Sequence, residues 1–347
     1  MNFLSDNAAP IAPAVLEAIV QANDGFAIAY GDDEWTRSVE RQLSELFERE
    51  VAVFLVPTGT AANALALAHL TPPWGAVLCH ADSHIATDEC GAPEFFGGGL
   101  KLVGLSGQDG KVTAETLKRA LRDNFGHSPH QMIASALSIT QATEAGTVYR
   151  QDEIAALCGI AHARSLAVHM DGARFANALV RLDATPAQIT WQSGVDVLSF
   201  GATKAGALAA EAVVFFNSAQ AAFMAERRKR AGHLLSKHRF LAAQLAAILA
   251  EGRWLALARH ANLMADRLSG KLTAAGLAPV WPVEANIVFV VLPRALDAKL
   301  RANGARYYGR TNTGLRLGPD QILARLVTSF ATKDDEIDRF AHLCNAF

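Results

Sequence analysis

Between residues 51 and 216 short, unbroken apolar runs alternate with segments patterned as helices. Residues 51–56 (VAVFLV), 76–79, 132–138 (MIASALS), 166–170 (LAVHM), 195–200 (VDVLSF) and 212–216 (AVVFF) read as strands. Residues 61–70, 113–124 and 151–163 read as helices. In the second of these, Leu117, Ala120 and Leu121 fall on one face, the period of a helix. Strands that are apolar throughout, rather than at alternate positions, are buried on both faces. The pattern therefore predicts an α/β chain whose mostly parallel sheet is covered by helices on both sides. After Asn217 the alternation ends. Residues 219–252 and 255–275 are rich in helix formers, and residues 287–292, 295–303, 314–317 and 333–344 read as strand, helix, strand and helix. That mixture predicts a smaller C-terminal α+β domain.

Composition narrows the function classes. Of 347 residues 51% are apolar and 19% charged, which excludes a disordered chain and allows one large domain plus a smaller one. The net charge of −2 gives no long-range pull on nucleic acid or anionic lipid. Cys79, Cys90, Cys158 and Cys344 form no CxxC pair, and no histidine cluster has zinc-finger spacing, so no metal site is expected. Isolated buried thiols in a reducing compartment are expected instead. The first residues carry no basic stretch followed by an apolar core, so no signal peptide is expected. The longest apolar runs are far too short to span a bilayer. The expected location is the cytoplasm, with no nucleic acid and no membrane among the partners.

Three positions carry chemistry. Pro57-Thr58-Gly59-Thr60 lies between a buried strand and a helix. Glycine allows close approach of a ligand, and the free amides of a helix start form an anion site suited to a phosphate. An ordinary capped turn has the same sequence. Asp171, in Asp171-Gly172-Ala173-Arg174, ends a buried strand, where ligands of open α/β sheets bind. It is either half of a local ion pair with Arg174 or a carboxylate for a protonated ring nitrogen. Lys204, in Gly201-Ala202-Thr203-Lys204, ends another buried strand. It is either a surface lysine or one placed for Schiff-base chemistry. Lys204 follows Asp171 by 33 residues, room for one strand and its crossover, so both groups can face one crevice. A phosphate cradle, a ring-nitrogen carboxylate and an imine-forming lysine are the contacts that pyridoxal phosphate needs.

In this order the motifs resemble the L-threonine aldolases, pyridoxal-phosphate enzymes of the aspartate aminotransferase (type I) fold. The resemblance runs from Ser5-Asp6-Asn7 through Tyr30-Gly31-Asp32-Asp33, Thr58–Asn63, His84, Glu89-Cys90-Gly91-Ala92 and Gly146-Thr147-Val148-Tyr149. It continues through Asp171–Phe175 and Phe200–Lys204 to Gly314-Leu315-Arg316. It implies a large domain with a seven-stranded, mostly parallel sheet (residues 31–245), an N-terminal arm (1–30) and a small domain (246–347). It implies that Lys204 joins the cofactor aldehyde, Asp171 keeps the ring nitrogen protonated, Gly59 and Thr60 bind the phosphate, and His84 stacks on the ring. Ser5, Arg174 and Arg316 would bind the substrate carboxylate, with Arg174 also near the cofactor. The implied reaction is cleavage of L-threonine, L-allo-threonine and similar β-hydroxy-α-amino acids to glycine and an aldehyde. His84, a water it holds, or the cofactor phosphate would serve as the base. The chain departs from the pattern at Gln141, which replaces a histidine linked to handling of the substrate hydroxyl. It departs again near Lys237, which would take over a phosphate contact, from a neighbouring subunit in one reading. A β-eliminating lyase, a serine hydroxymethyltransferase and a non-catalytic binder of the cofactor are the competing readings. The fold implies a homo-oligomer, a dimer at least and a tetramer by expectation, with the helix at 61–70 and the N-terminal arm as interface elements.

Overall fold

The computed structural model describes residues 1–310 and 315–345. Seven strands form one sheet: β1 (Ala52–Val56), β2 (Gly75–His80), β3 (Lys101–Leu105), β4 (Ile133–Thr140), β5 (Ala167–Gly172), β6 (Val197–Gly201) and β7 (Glu211–Phe215). Their order is β1-β7-β6-β5-β4-β2-β3. The pairs β2–β3, β2–β4, β4–β5 and β5–β6 are parallel, and β7 runs antiparallel to both of its neighbours. The sheet is thus seven-stranded and mostly parallel, as expected. Within this sheet β3 is the strand the sequence does not announce. It lies at the sheet edge, and of its five residues only Leu105 is buried, so its pattern is not that of a core strand.

A second sheet holds β8 (Ile287–Pro293), β9 (Tyr308–Arg310) and β10 (Gln321–Val327), antiparallel in the order β8-β10-β9. The strand expected at 314–317 does not form over its described part: Leu315, Arg316 and Leu317 are coil, and Gly314 lies outside the described residues. Helices Arg294–Ala302 and Asp334–Asn345 complete this part.

Each sheet has its own core. The large one gathers Phe47, Phe175, Phe200, Phe216 and Trp254, with ring centroids 5.1 Å apart for Phe47–Phe216 and 5.3 Å for Phe200–Trp254. The small one packs Phe3, Leu268, Val290, Leu326 and Phe340. Helix Arg253–Ala274 serves both, giving Trp254 and Ala258 to the first and Met264, Leu268 and Leu272 to the second. The run 239–274 is long and apolar enough to cross a membrane. Glu251 (φ 57°) and Gly252 (φ 64°) divide it into two helices. The first of these packs on helices Pro13–Ala22 and Glu34–Leu46. The four cysteines are free thiols, and Cys90, contrary to expectation, is exposed.

One buried ion pair ties the chain's distant parts together. Asp6 follows Ser5, whose hydroxyl caps the turn by accepting from the Asn7 N–H. The Asp6 carboxylate accepts from Arg174 Nε (2.8 Å) and Nη2 (2.9 Å), just after β5, and from Asn286 Nδ2 (3.0 Å), just before β8. Burial would raise the Asp6 carboxyl, but the charges of Arg174 and Lys204 and the hydrogen bonds from Arg174 and Asn286 outweigh it. They hold it at about 2, against 3.8 ordinarily. A depressed carboxyl stabilises the fold above its unfolded pKa and loses that contribution as pH falls through the folded value. At about 1.4 kcal/mol per pKa unit this amounts to about 2 kcal/mol, present at pH 5 and lost as pH falls from 4 to 2. Urea unfolding should show that loss in the native protein and not in Asp6→Asn. At pH 7 Asp6→Asn should be less stable by about 3–5 kcal/mol, because it leaves the buried Arg174 unpaired. Equal stability of the two proteins at pH 7 would refute the role given to this pair.

Candidate active site

The carboxyl ends of β5 and β6 and the start of helix Gly59–Leu70 meet at one place. Thr58 caps that helix, its hydroxyl accepting from Ala61 N–H at 3.1 Å. The N–H groups of Gly59 and Thr60 are then left without an acceptor inside the helix. A Cβ on Gly59 would meet nothing within 4 Å, so this positive end is open to an anion. Asn63 lies one turn further on, about 6 Å along the axis, and its side chain reaches Asp171.

Asp171 sits near the end of β5 and is 3% exposed. Its Oδ1 accepts from Ala173 N–H (2.9 Å) and its Oδ2 from Asn63 Nδ2 (2.9 Å). The other Asn63 N–H goes to Glu89 Oε1 at 2.8 Å, and His84 Nδ1 meets the same oxygen at 2.8 Å. Two carboxylates facing one amide fix its orientation, since only the NH₂ end can donate to both. The carboxylate also fixes Nδ1 of His84 as the protonated nitrogen and leaves Nε2 for the cavity. The bond from Glu89 raises the His84 imidazole against the effect of burial. Burial raises Glu89 itself, with the bonds from His84 and Asn63 opposing. Asn63 Oδ1 and Glu89 Oε2 are buried and have no partner.

Lys204 lies in the 3-10 turn Thr203–Ala205 that follows β6. Glu211, opposite Gly201 in the β6–β7 register, holds that turn by accepting from Ala202 N–H at 2.9 Å. Among the described residues Lys204 forms no salt bridge. The cavity above has a volume of about 610 Å³, and Ser5, His84, Glu144, Arg174, Lys204 and Arg325 are among its lining residues. That is a size suited to a cofactor with a small substrate.

Of the residues singled out from sequence, Ser5, His84, Arg174 and Lys204 line this cavity. Asp171, Gly59 and Thr60 are tied to it through the helix that carries Asn63. Arg174 departs from the local reading: its partner is Asp6, not Asp171. Gln141 stands elsewhere. It is wholly buried, and its amide is spent on Tyr149, donating to the carbonyl (2.8 Å) and accepting from the N–H (2.9 Å). Lys237 is exposed in the loop before helix Arg239–Leu249, and Arg316 is exposed coil. Neither is among the described residues that line the cavity.

Arg325 occupies the position that Arg316 does not. It lies in β10, is 8% exposed and faces the cavity. Burial, with the charge of Arg174 added, lowers its guanidinium to about 10, and its Nε has no partner. A buried guanidinium with a free N–H beside a second arginine calls for an anionic ligand. No strand is expected from the sequence at Gln321–Val327 (QILARLV), and the one signal there is an arginine set among apolar residues.

Residues 2–295 match the family model of beta-eliminating lyases. The chain is 43% identical to the low specificity L-threonine aldolase of Pseudomonas sp. (strain NCIMB 10558), with 90% of each chain covered. To the enzyme of that name from Pseudomonas aeruginosa it is 44% identical, with 88% of each covered. Among solved structures, the threonine aldolase of Leishmania major superposes with a TM-score of 0.93 at 30% identity, covering 99% of this chain and 98% of that one. The chain therefore belongs to the beta-eliminating lyase family, in the group formed by the low-specificity L-threonine aldolases.

Proposed function

We propose that this chain is a lyase that cleaves L-threonine, L-allo-threonine and related β-hydroxy-α-amino acids to glycine and an aldehyde with pyridoxal 5′-phosphate as cofactor. The observation that carries the reading is that Lys204, without a salt bridge among the described residues, lines the cavity, while Asp171 and the open helix start at Gly59 are joined to each other through Asn63, which also reaches the Glu89 that anchors the cavity's His84. Their chemistry fits the cofactor part by part. The N–H groups of Gly59 and Thr60 suit its phosphate, Asp171 its ring N–H, and the Lys204 amine its aldehyde. When bound, the cofactor supplies an electron sink for the pair released at the substrate Cα. His84 presents its ring to the cavity with Nδ1 anchored on Glu89.

The substrate carboxylate is held by Ser5, by the Arg174 nitrogen that Asp6 leaves free, and by Arg325. A planar guanidinium meets a carboxylate with two bonds, so two arginines also fix the direction of the substrate's Cα–Cβ bond. Lys204→Ala should lose both the visible absorbance of the bound cofactor and cleavage of L-threonine. Retention of turnover would refute the assignment. Product analysis separates the aldolase from a β-eliminating lyase: glycine with acetaldehyde supports the first, ammonia with a keto acid the second. Arg325→Ala should raise KM for L-threonine at least tenfold, the loss of one charged hydrogen bond or more, whereas Arg316→Ala should leave it within about twofold. The opposite ranking would return the carboxylate contact to Arg316.

The chain acts as a homo-oligomer, a dimer at least and a tetramer by preference, in the cytoplasm. Support comes from apolar surface that a lone subunit leaves in water. Phe26, Ile28 and Tyr30 of the arm are exposed. A groove of about 960 Å³ with Phe95 and Phe223 on its walls runs past the far end of helix Gly59–Leu70. The helix itself is spent on the subunit's own core, since residues 61–68 are all buried. Exposed Lys237 is then available to a neighbouring site. The free thiols accord with a reducing compartment. Sedimentation at micromolar concentration should give twice the 37.0 kDa chain mass or more. A fully active monomer would refute the oligomer.

A further inference from the structure

The cavity contains a carboxylate to which no role has been given. Glu144 is half-buried on the loop after β4 and lines the cavity beside His84, Arg174 and Lys204. Among the described residues it has neither a hydrogen bond nor a salt bridge. The other cavity carboxylate, Asp88, is paired with Arg310 at 3.6 Å.

The loop is built to hold Glu144 still. Gly146 N–H donates to the Thr143 carbonyl at 2.9 Å, which puts Glu144 at the second position of a tight turn. Thr147 Oγ1 donates to the Asp109 carbonyl at 2.6 Å and lies 2.8 Å from Thr143 Oγ1, pinning the base of the turn. Gly146 has φ +83°, and a Cβ there would stand 2.9 Å from the Ile287 carbonyl oxygen, so the turn is pressed against β8. Gln141 braces the other limb through both backbone groups of Tyr149. A carboxylate on so firmly held a turn, without a partner of its own among the described residues, in a cavity that also presents His84, Arg174, Lys204 and Arg325, is arranged to meet a ligand's donor.

We propose that Glu144 accepts the proton of the substrate's β-hydroxyl, the task for which Gln141 has no free group. The inference rests on the aldolase reading given above. The hydroxyl O–H bond breaks and its proton passes to a Glu144 oxygen. The O–H electron pair closes the aldehyde C=O bond, and the Cα–Cβ bond breaks. Its pair stays on the Cα, which takes a proton to yield glycine, and Glu144 returns its own proton to solvent. His84 faces the same site between Glu89, Glu144 and Asp171, and the charge of Glu144 favours its protonated form.

The test is Glu144→Gln in the holoenzyme, read through two reactions that share every residue but this one. Cleavage of L-threonine should fall about 100-fold or more, the scale of a lost general base. Exchange of the glycine α-hydrogen in D₂O, followed by NMR, needs no hydroxyl base and should stay within about threefold. Glu144→Asp should recover part of the cleavage. In the cofactor-free protein, an NMR titration of the His84 ring should show its pKa lower in Glu144→Gln than in the native chain. Unchanged cleavage overturns the inference, and so does an equal fall of both reactions, which marks a binding or folding defect. A native protein that exchanges glycine but never cleaves threonine overturns the aldolase reading instead.

Discussion

The buried pair of Asp6 with Arg174 is the contact on which the site depends. Either charge alone would be costly so far from water, and the two together are held only by close geometry. Both carboxylate oxygens are engaged by Arg174, and Asn286 adds a third donor while its amide also reaches the Thr328 carbonyl at 2.6 Å. One carboxylate thus joins the chain's first residues, the helix after β5, and both strands β8 and β10 near their inner ends. Ser5 and Arg325 inherit their places from that joint: Ser5 is the next residue to Asp6, and Arg325 lies three residues before Thr328. The pocket proposed for the substrate carboxylate is assembled by the same contact that ties the small sheet to the large one.

How far the sequence discloses this differs from part to part. The central strands are legible because parallel strands buried on both faces become continuous apolar runs. Asp171 and Lys204 are legible for the same reason, since a charge directly after such a run must lie at a strand end. β3 is not legible, because an edge strand with one buried residue of five carries no such run. The choice between Arg316 and Arg325 turns on a similar ambiguity. Leu315-Arg316-Leu317 mimics the alternation of a strand, but it forms coil. Arg325 sits among apolar neighbours, where burial has to be tolerated for the sake of a ligand. Local pattern cannot separate a surface arginine from a buried one, because the difference lies in what the other sheet brings opposite.

The partners that tune the site were least visible. Asn63 is 108 residues from Asp171 and 26 from Glu89, and a single amide serves both. Glu211 steadies the Lys204 turn across an antiparallel register that no local period signals. Asn and Glu inside a helix or at a strand end have many ordinary uses, so spacing alone assigns them nothing. Their roles appear only when the fold brings them within hydrogen-bond reach in a place closed to water.

Gln141 and Glu144 carry this reasoning to its last step. A residue that replaces a histidine is expected to face what the histidine faced. Here the side chain turns inward and ties the two limbs of its own loop together. A brace of that kind is valuable only if the loop between the limbs must stay fixed, and Glu144 stands on that loop. On the role proposed for Glu144, the polar function lies three residues further along the chain, with Gln141 supplying rigidity and Glu144 charge. Because a carboxylate accepts from a hydroxyl without needing a particular tautomer, the exchange lets His84 remain committed to Glu89 while the cavity still offers an acceptor. Rigidity and basicity, which one histidine could combine, are here divided between two residues of the same turn.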